Sequence, residues 1–392
     1  MKLQLNNISI MTVVGGGKRY FRSNSYLKIF LSFTIILICF AKSLAKSHYA
    51  NFNPINGTFQ NFNPVRRLLD GQIPFSEFYD YLGLGHMYSG AVASLFIGDT
   101  YQDSLVVFEF LTLLSFSLLS IVIGKCILKN YTTVAILTII VLLSTMKFEN
   151  IGALNELQEL FSPGNSARLI RGMGLPLSAI LFLICIKNWN LIKKRLPQLN
   201  DETIISIVLG ATAGLSILWS NDYGFSAVGA IALLVAIQFI FSIYQKTFDY
   251  RKIIINYLKL TISFSLSLLI SFFIFGEILT YGNIHNWISI TIGIGQYQNW
   301  YYNSGPNFYI YNLELSTSTV CQIIITIYYI INYLKKGWSP STVTRYVIPA
   351  FVNLTCIVAI QQYKLFSGGY NYQVAHAVLF ITVMKRPLSS KI

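Results

Sequence analysis

The feature that most limits what this chain can fold into is the length of its apolar blocks. Tyr26–Ala45, Leu105–Leu128, Thr203–Trp219 and Ile253–Leu279 each run for about twenty residues with few charges, the length a helix needs to cross roughly 30 Å of hydrocarbon. A backbone in lipid must satisfy its hydrogen bonds within a helix or a closed barrel. Barrel strands would alternate polar and apolar over about ten residues, and these blocks do not alternate. Only 11% of the residues are charged and 54% are hydrophobic, against about a quarter charged in a soluble domain. The expected fold is all-α: a polytopic transmembrane helical bundle forming one domain over residues 1–392.

The net charge of +14 could attract nucleic acid, but its distribution points elsewhere. Lys and Arg cluster in short segments between apolar blocks, the pattern of cytoplasmic loops. With the basic N-terminus inside, about ten spans are expected at roughly 26–46, 104–125, 131–147, 172–188, 203–219, 225–243, 254–280, 314–334, 345–363 and 367–384. Lys125 and Lys129, Lys187 with Lys193–Arg195, Lys246 with Arg251 and Lys252, Lys335 with Lys336, and Lys385 with Arg386 then all fall inside. Most acids fall outside, among them Asp70, Glu77, Asp80, Asp99, Asp103 and Asp222. The pattern implies a multi-pass protein of the cell membrane with both termini cytoplasmic. The first block is too long for a cleaved signal peptide and reads as a retained anchor.

This alternation requires that Gly83–Gly98 not cross. The segment is short and rich in Gly and Ser, and reads as a helix in the outer interface with its apolar face in lipid. It belongs to the first outside loop, 47–103, the only long one and the expected carrier of the site. The five cysteines lie in or beside apolar blocks with no C-x-x-C spacing, so they read as packing residues rather than a disulfide framework or metal site. No cofactor is indicated, and a divalent metal is optional.

Within the first loop, Pro74 opens an alternation of aromatics and acids: Phe75, Glu77, Phe78, Tyr79 and Asp80. Carboxylates among aromatic rings near a membrane surface have their pKa raised toward the range of a general base; equally, they could solvate a loop beside an interfacial aromatic belt. Arg168 and Arg171 are about one helical turn apart on the side where basic residues are scarce. Their guanidinium groups suit a phosphate, or a lipid headgroup. Asp222 lies in a tight turn with Asn221, which is ordinary turn chemistry as well as a place for a carboxylate near the surface. Gln296, Trp300 and Tyr301 could form a sugar-binding wall or an aromatic belt.

The run Arg66-Arg67-Leu68-Leu69-Asp70-Gly71-Gln72-Ile73-Pro74-Phe75-Ser76-Glu77-Phe78 resembles the first-loop pattern of the GT-C superfamily of membrane glycosyltransferases. The long first loop, the interfacial segment and the multi-span body are similar too. The resemblance implies a GT-C-like bundle whose first loop holds short interfacial helices. It implies sugar transfer from a polyprenyl-phosphate-linked donor to a lipid- or cell-envelope-linked acceptor at the extracytoplasmic face. Glu77 or Asp80 would then be the base, Arg168 and Arg171 would hold the donor phosphate, and Asn221, Gln296, Trp300 and Tyr301 would contact substrate. Lys46–Val65 has no Asp or Glu, where many family members carry an acid, so Glu77, Asp80 and Asp222 stand as its substitutes. The partners implied are the donor, a lipid or glycan acceptor and membrane lipids, without nucleic acid. A polysaccharide polymerase or ligase would use similar arginines. A lipid-linked-sugar transporter or flippase would instead place ionisable residues in mid-span, with Glu109, Glu277 and Glu314 as candidates.

Overall fold

The computed structural model describes residues 17–49, 57–80, 82–128, 130–144, 171–244, 250–304, 317–336 and 339–362. Nearly all of these are helical and no strand forms among them, apart from a single bridge between Pro74 and Phe78. The helices are α1 (Gly17–Tyr49), α2 (Gly57–Leu69), α3 (Leu84–Ile97), α4 (Tyr101–Leu128), α5 (Tyr131–Ser144), α6 (Gly174–Lys187) and α7 (Trp189–Arg195). They continue as α8 (Asp201–Trp219), α9 (Asn221–Tyr244), α10 (Tyr250–Leu279), α11 (Ile284–Ser304), α12 (Thr317–Lys336) and α13 (Ile348–Gln362), the last preceded by a π-helical turn at Val343–Val347.

Among the described residues, five stretches are long and apolar enough to cross a membrane: Ser25–Ala45, Tyr101–Cys126, Asp201–Trp219, Tyr223–Phe241 and Ile254–Leu279. A sixth would be the broken pair Pro176–Lys187 and Trp189–Arg195, bent by 69° at Asn188. The expected spans at 131–147, 314–334 and 345–363 are helical where described, but shorter or more polar than these five. The expected span 367–384 lies outside the described residues.

The centre of the bundle is the pair α8 and α10, which pack along each other more extensively than any other two helices. Gly210 and Gly214 make this possible, because a Cβ at either would come within 2.5 Å of a backbone carbonyl oxygen of α10. Small residues spaced by four let backbones approach where lipid gives no hydrophobic drive between helices. Hydroxyl groups add to the seam: Ser206 donates to the Leu260 carbonyl at 2.7 Å and Ser267 to the Ile207 carbonyl at 2.8 Å. Helix α9 packs on α8 and α13, while α1 packs on α4 and α5.

Helix α8 also sorts the molecule into two ends. At its start, Lys193 pairs with Asp201 at 2.5 Å and Asn256 donates to Glu202 at 2.8 Å. Tyr333 of α12 donates to Gln238 near the far end of α9, so Lys335 lies at this same end. At the finish of α8, Gly83 and Gly85 of the first loop meet Trp219 and Ser220, and Asn221 opens α9. The first loop and the Asp222 turn therefore share one end of the bundle, opposite Lys193 and Lys335.

Helix α3 has fourteen residues, about 21 Å at the α-helical rise, which is too short for the hydrocarbon core. One face packs on α2, α4 and α8. On the other, Val92, Leu95 and Phe96 are 58%, 73% and 87% exposed, an i, i+3, i+4 apolar patch. Nitroxide labels at Leu95 and Phe96 in bilayers are expected to report a depth of about 5–10 Å below the headgroups. Labels on this helix running from one headgroup region through the bilayer midplane would overturn the interfacial placement.

Candidate functional site

Residues 57–80 of the first loop are held in place by identifiable contacts. Helix α2 runs through Pro64 from Gly57 to Leu69, and Val65 packs against Gly90 and Phe108, joining α2 to α3 and α4. It ends in a turn at Gly71, whose φ of 80° favours glycine. Arg67 then braces the 72–78 turn: Nε donates to Gln72 Oε1 at 2.6 Å, a terminal nitrogen donates to the Glu77 carbonyl at 3.2 Å, and the guanidinium lies 5.3 Å from the Phe78 ring centroid. Glu77 is exposed, and its carboxylate accepts the Ile73 N–H at 2.6 Å, closing the turn over its own backbone.

Phe75 has φ 63°, a left-handed conformation costly for a bulky residue. Its packing holds it there. Phe75 and Phe78 are 1% and 2% exposed and sit with Leu218, Phe272, Ile284 and Trp287. Asn286 also donates to the Phe75 carbonyl at 2.9 Å. The loop is thus plugged into the end of the bundle between α8, α10 and α11.

Beyond the plug, the chain turns inward. Asp80 is 6% exposed and accepts the Leu82 N–H on Oδ1 at 3.0 Å. His86, fully buried on α3, brings Nε2 to 3.1 Å from Asp80 Oδ2 and Nδ1 to 3.0 Å from the Gly83 carbonyl. That carbonyl can only accept, so the ring carries its proton on Nδ1 and turns Nε2 to the carboxylate. Gly83, with φ 105°, permits the approach: a Cβ there would lie 2.6 Å from the Trp219 carbonyl oxygen.

Arg171, 4% exposed, lies close enough for its charge to act on His86. Next to it, Gly172 lies against Tyr223 and Gly174 against Trp219. Burial first, and the Arg171 charge with it, hold the imidazole below its ordinary 6.5, while the Asp80 carboxylate and the Gly83 carbonyl pull it upward. With the proton on Nδ1, Nε2 and Asp80 Oδ2 face each other at 3.1 Å as two acceptors, so the pair has a place for one proton between them.

This has a consequence for stability. Below pH 6.5 the unfolded chain binds a proton at this histidine more readily than the folded one does, so stability falls as pH drops toward the lowered native value. The unfolding midpoint in detergent is expected to fall with pH in that window, with a shallower slope for His86→Gln. Equal slopes would remove His86 as the source.

The structure thus pairs Asp80 with His86 within range of the Arg171 charge, and puts Glu77 on the adjoining exposed turn. Asn221, half-buried at the start of α9, has Nδ2 3.5 Å from Thr291 Oγ1. Arg168 lies outside the described residues, as do the side chains of Asp222, Gln296, Trp300 and Tyr301; the backbones of these four are in α9 and α11. Ser220 is fully buried, and its Oγ has no hydrogen-bond partner among the described residues. Sequence reasoning missed His86 and Ser220. The signal for the first was a histidine set among glycines in Gly83-Leu84-Gly85-His86, where absent side chains let other backbone come close. Among the described residues no three His, Cys, Asp or Glu side chains group as metal ligands would. No protein-family model, curated protein or solved structure matches the chain.

Proposed function

We propose that this protein is a membrane glycosyltransferase that moves a sugar from a polyprenyl-phosphate donor to a lipid- or cell-envelope-linked acceptor at the extracytoplasmic face. The observation that carries the reading is the meeting of the buried Asp80–His86 pair with Arg171 beside the turn that opens α9. A proton acceptor and a fixed cation in one low-dielectric place are what this transfer needs. The acceptor oxygen forms its bond to the anomeric carbon as the bond from that carbon to the phosphate oxygen breaks. The hydroxyl proton passes to the Asp80–His86 pair, and Arg171 takes up the charge of the departing phosphate. All three groups are more than nine-tenths buried, so in this reading the 70–83 loop lifts to admit substrate. Glu77, on the exposed turn, meets substrate first.

The test is transfer from labelled polyprenyl-phosphate sugars by purified protein in detergent, across a panel of donor sugars. No transfer from any donor by folded protein would move a second reading forward. That reading is a lipid-linked-sugar flippase, and its support is Glu109, 4% exposed inside the Tyr101–Cys126 stretch. Ionisable groups at such depth mark transport pathways. Translocation of a fluorescent lipid-linked sugar in proteoliposomes tests it.

A further inference from the structure

At the opposite end from Asp80 and His86, the bundle has a cavity of about 500 Å³ between α9 and α10, with Ser206 of α8 at its floor. Both walls pack far more on α8 than on each other. Ala232 and Ala236, one turn apart, leave the space open, and Phe239 lies edge-on to Tyr257 at 4.9 Å in its wall toward the Asp201 end. Along α10 the lining runs from Ile254 to Ser265, about 16 Å of helix.

Two observations say what fits. First, the wall is mostly hydrocarbon, and two of its hydroxyl groups are turned onto helix backbone: Ser206 donates to the Leu260 carbonyl at 2.7 Å and Thr261 to the Tyr257 carbonyl at 2.9 Å. No donor of these two remains for a sugar or for water. Second, Ile254, Leu258, Thr261 and Ser265 form one stripe of α10 at i, i+4, i+7 and i+11, and Arg251 extends that stripe by one turn beyond the cavity. Arg251 and the nearby Lys259 are exposed, at the end of the bundle that also holds Lys193, Lys194 and Lys335. A long lysine stem can reach the headgroup level from within the span.

We infer that this cavity binds an anionic phospholipid from the leaflet at the Asp201 end, one acyl chain lying between α9 and α10 and the phosphate meeting Arg251 and Lys259. The site is separate from the one proposed for transfer and stands whatever reaction that one performs.

Native mass spectrometry of the full chain in detergent tests it, with dioleoyl phosphatidylglycerol, dioleoyl phosphatidylcholine and dihexanoyl phosphatidylglycerol as probes. The anionic long-chain lipid is expected to bind about 30-fold more tightly than the zwitterionic one, since each of the two cations contributes roughly 1 kcal/mol toward anionic lipid. The short-chain anionic lipid should bind weakly. Arg251→Gln with Lys259→Gln should bring the two dioleoyl lipids together, and Ala236→Phe should weaken both. Equal binding of short and long chains would overturn the inference, as would a polyprenyl phosphate that displaces the phospholipid from this place. In case Ala236→Phe fails to fold, a diazirine on the acyl chain of phosphatidylglycerol is crosslinked to the unaltered protein. Adducts on 231–239 and 254–265 are expected, and adducts confined to other helices would overturn it.

Discussion

Asp80→Asn is expected to lower kcat for sugar transfer by about 10²–10⁴-fold, the usual worth of a positioned general base. Asn keeps the shape of the side chain and its acceptor for the Leu82 N–H, so the fold should survive while the proton acceptor is lost. Glu77→Gln should act differently. Its carboxylate already accepts the Ile73 N–H at 2.6 Å on an exposed turn, so the change should cost about 1 kcal/mol of stability and little turnover. Arg171→Lys keeps a charge without the guanidinium fork, and is expected to raise KM for the donor more than it lowers kcat. Full turnover in Asp80→Asn at unchanged thermal midpoint would remove the Asp80–His86 pair from the chemistry.

The difference between these two acids could not be read from the sequence. Glu77 and Asp80 are three residues apart among the same aromatics, yet one closes a surface turn and the other is buried against a histidine. What separates them is long-range: Phe75 and Phe78 plug into α8, α10 and α11, and that plug turns the chain so that Asp80 faces inward. The helical class, by contrast, was legible, because apolar run length and the lack of alternation are local properties. So was the shared end of the first loop and the Asp222 turn, which the placement of the basic clusters dictates. Helix α2 shows the opposite case: Asn61, Asn63 and Pro64 have poor helix propensity, and packing of Val65 on α3 and α4 overrides it. Span count sits between these cases. A length rule finds the Ser25–Ala45 stretch at once, but it cannot foresee the 69° bend at Asn188.

The contact on which the whole site depends is α3 against the end of α8, and Gly85→Ala should break it. A methyl group at Gly85 would stand 2.2 Å from Trp219 Cδ2 and 2.3 Å from Cε2, inside the indole ring. Neither partner can give way easily: the ring also lies against Gly174, and α3 is held on its other side by Val65 and Phe108 against Gly90. Overpacking of this kind costs about 1–3 kcal/mol or more, and any shift that relieves it carries His86, the next residue, away from Asp80. Loss of stability and of the His86-dependent pH slope should therefore appear together. Gly293→Ala serves as the reference, since a Cβ there meets nothing within 4 Å and the new methyl group should be tolerated. Trp219→Leu removes the ring that the added methyl group would strike, so combining it with Gly85→Ala should restore part of the lost stability, although Trp219→Leu alone is destabilising. That non-additivity is the signature of direct contact. Gly85→Ala as stable as Gly293→Ala, or effects of the two changes at 85 and 219 that simply add, would mean that α3 does not dock on Trp219, and the pairing of His86 with Asp80 would lose its structural support.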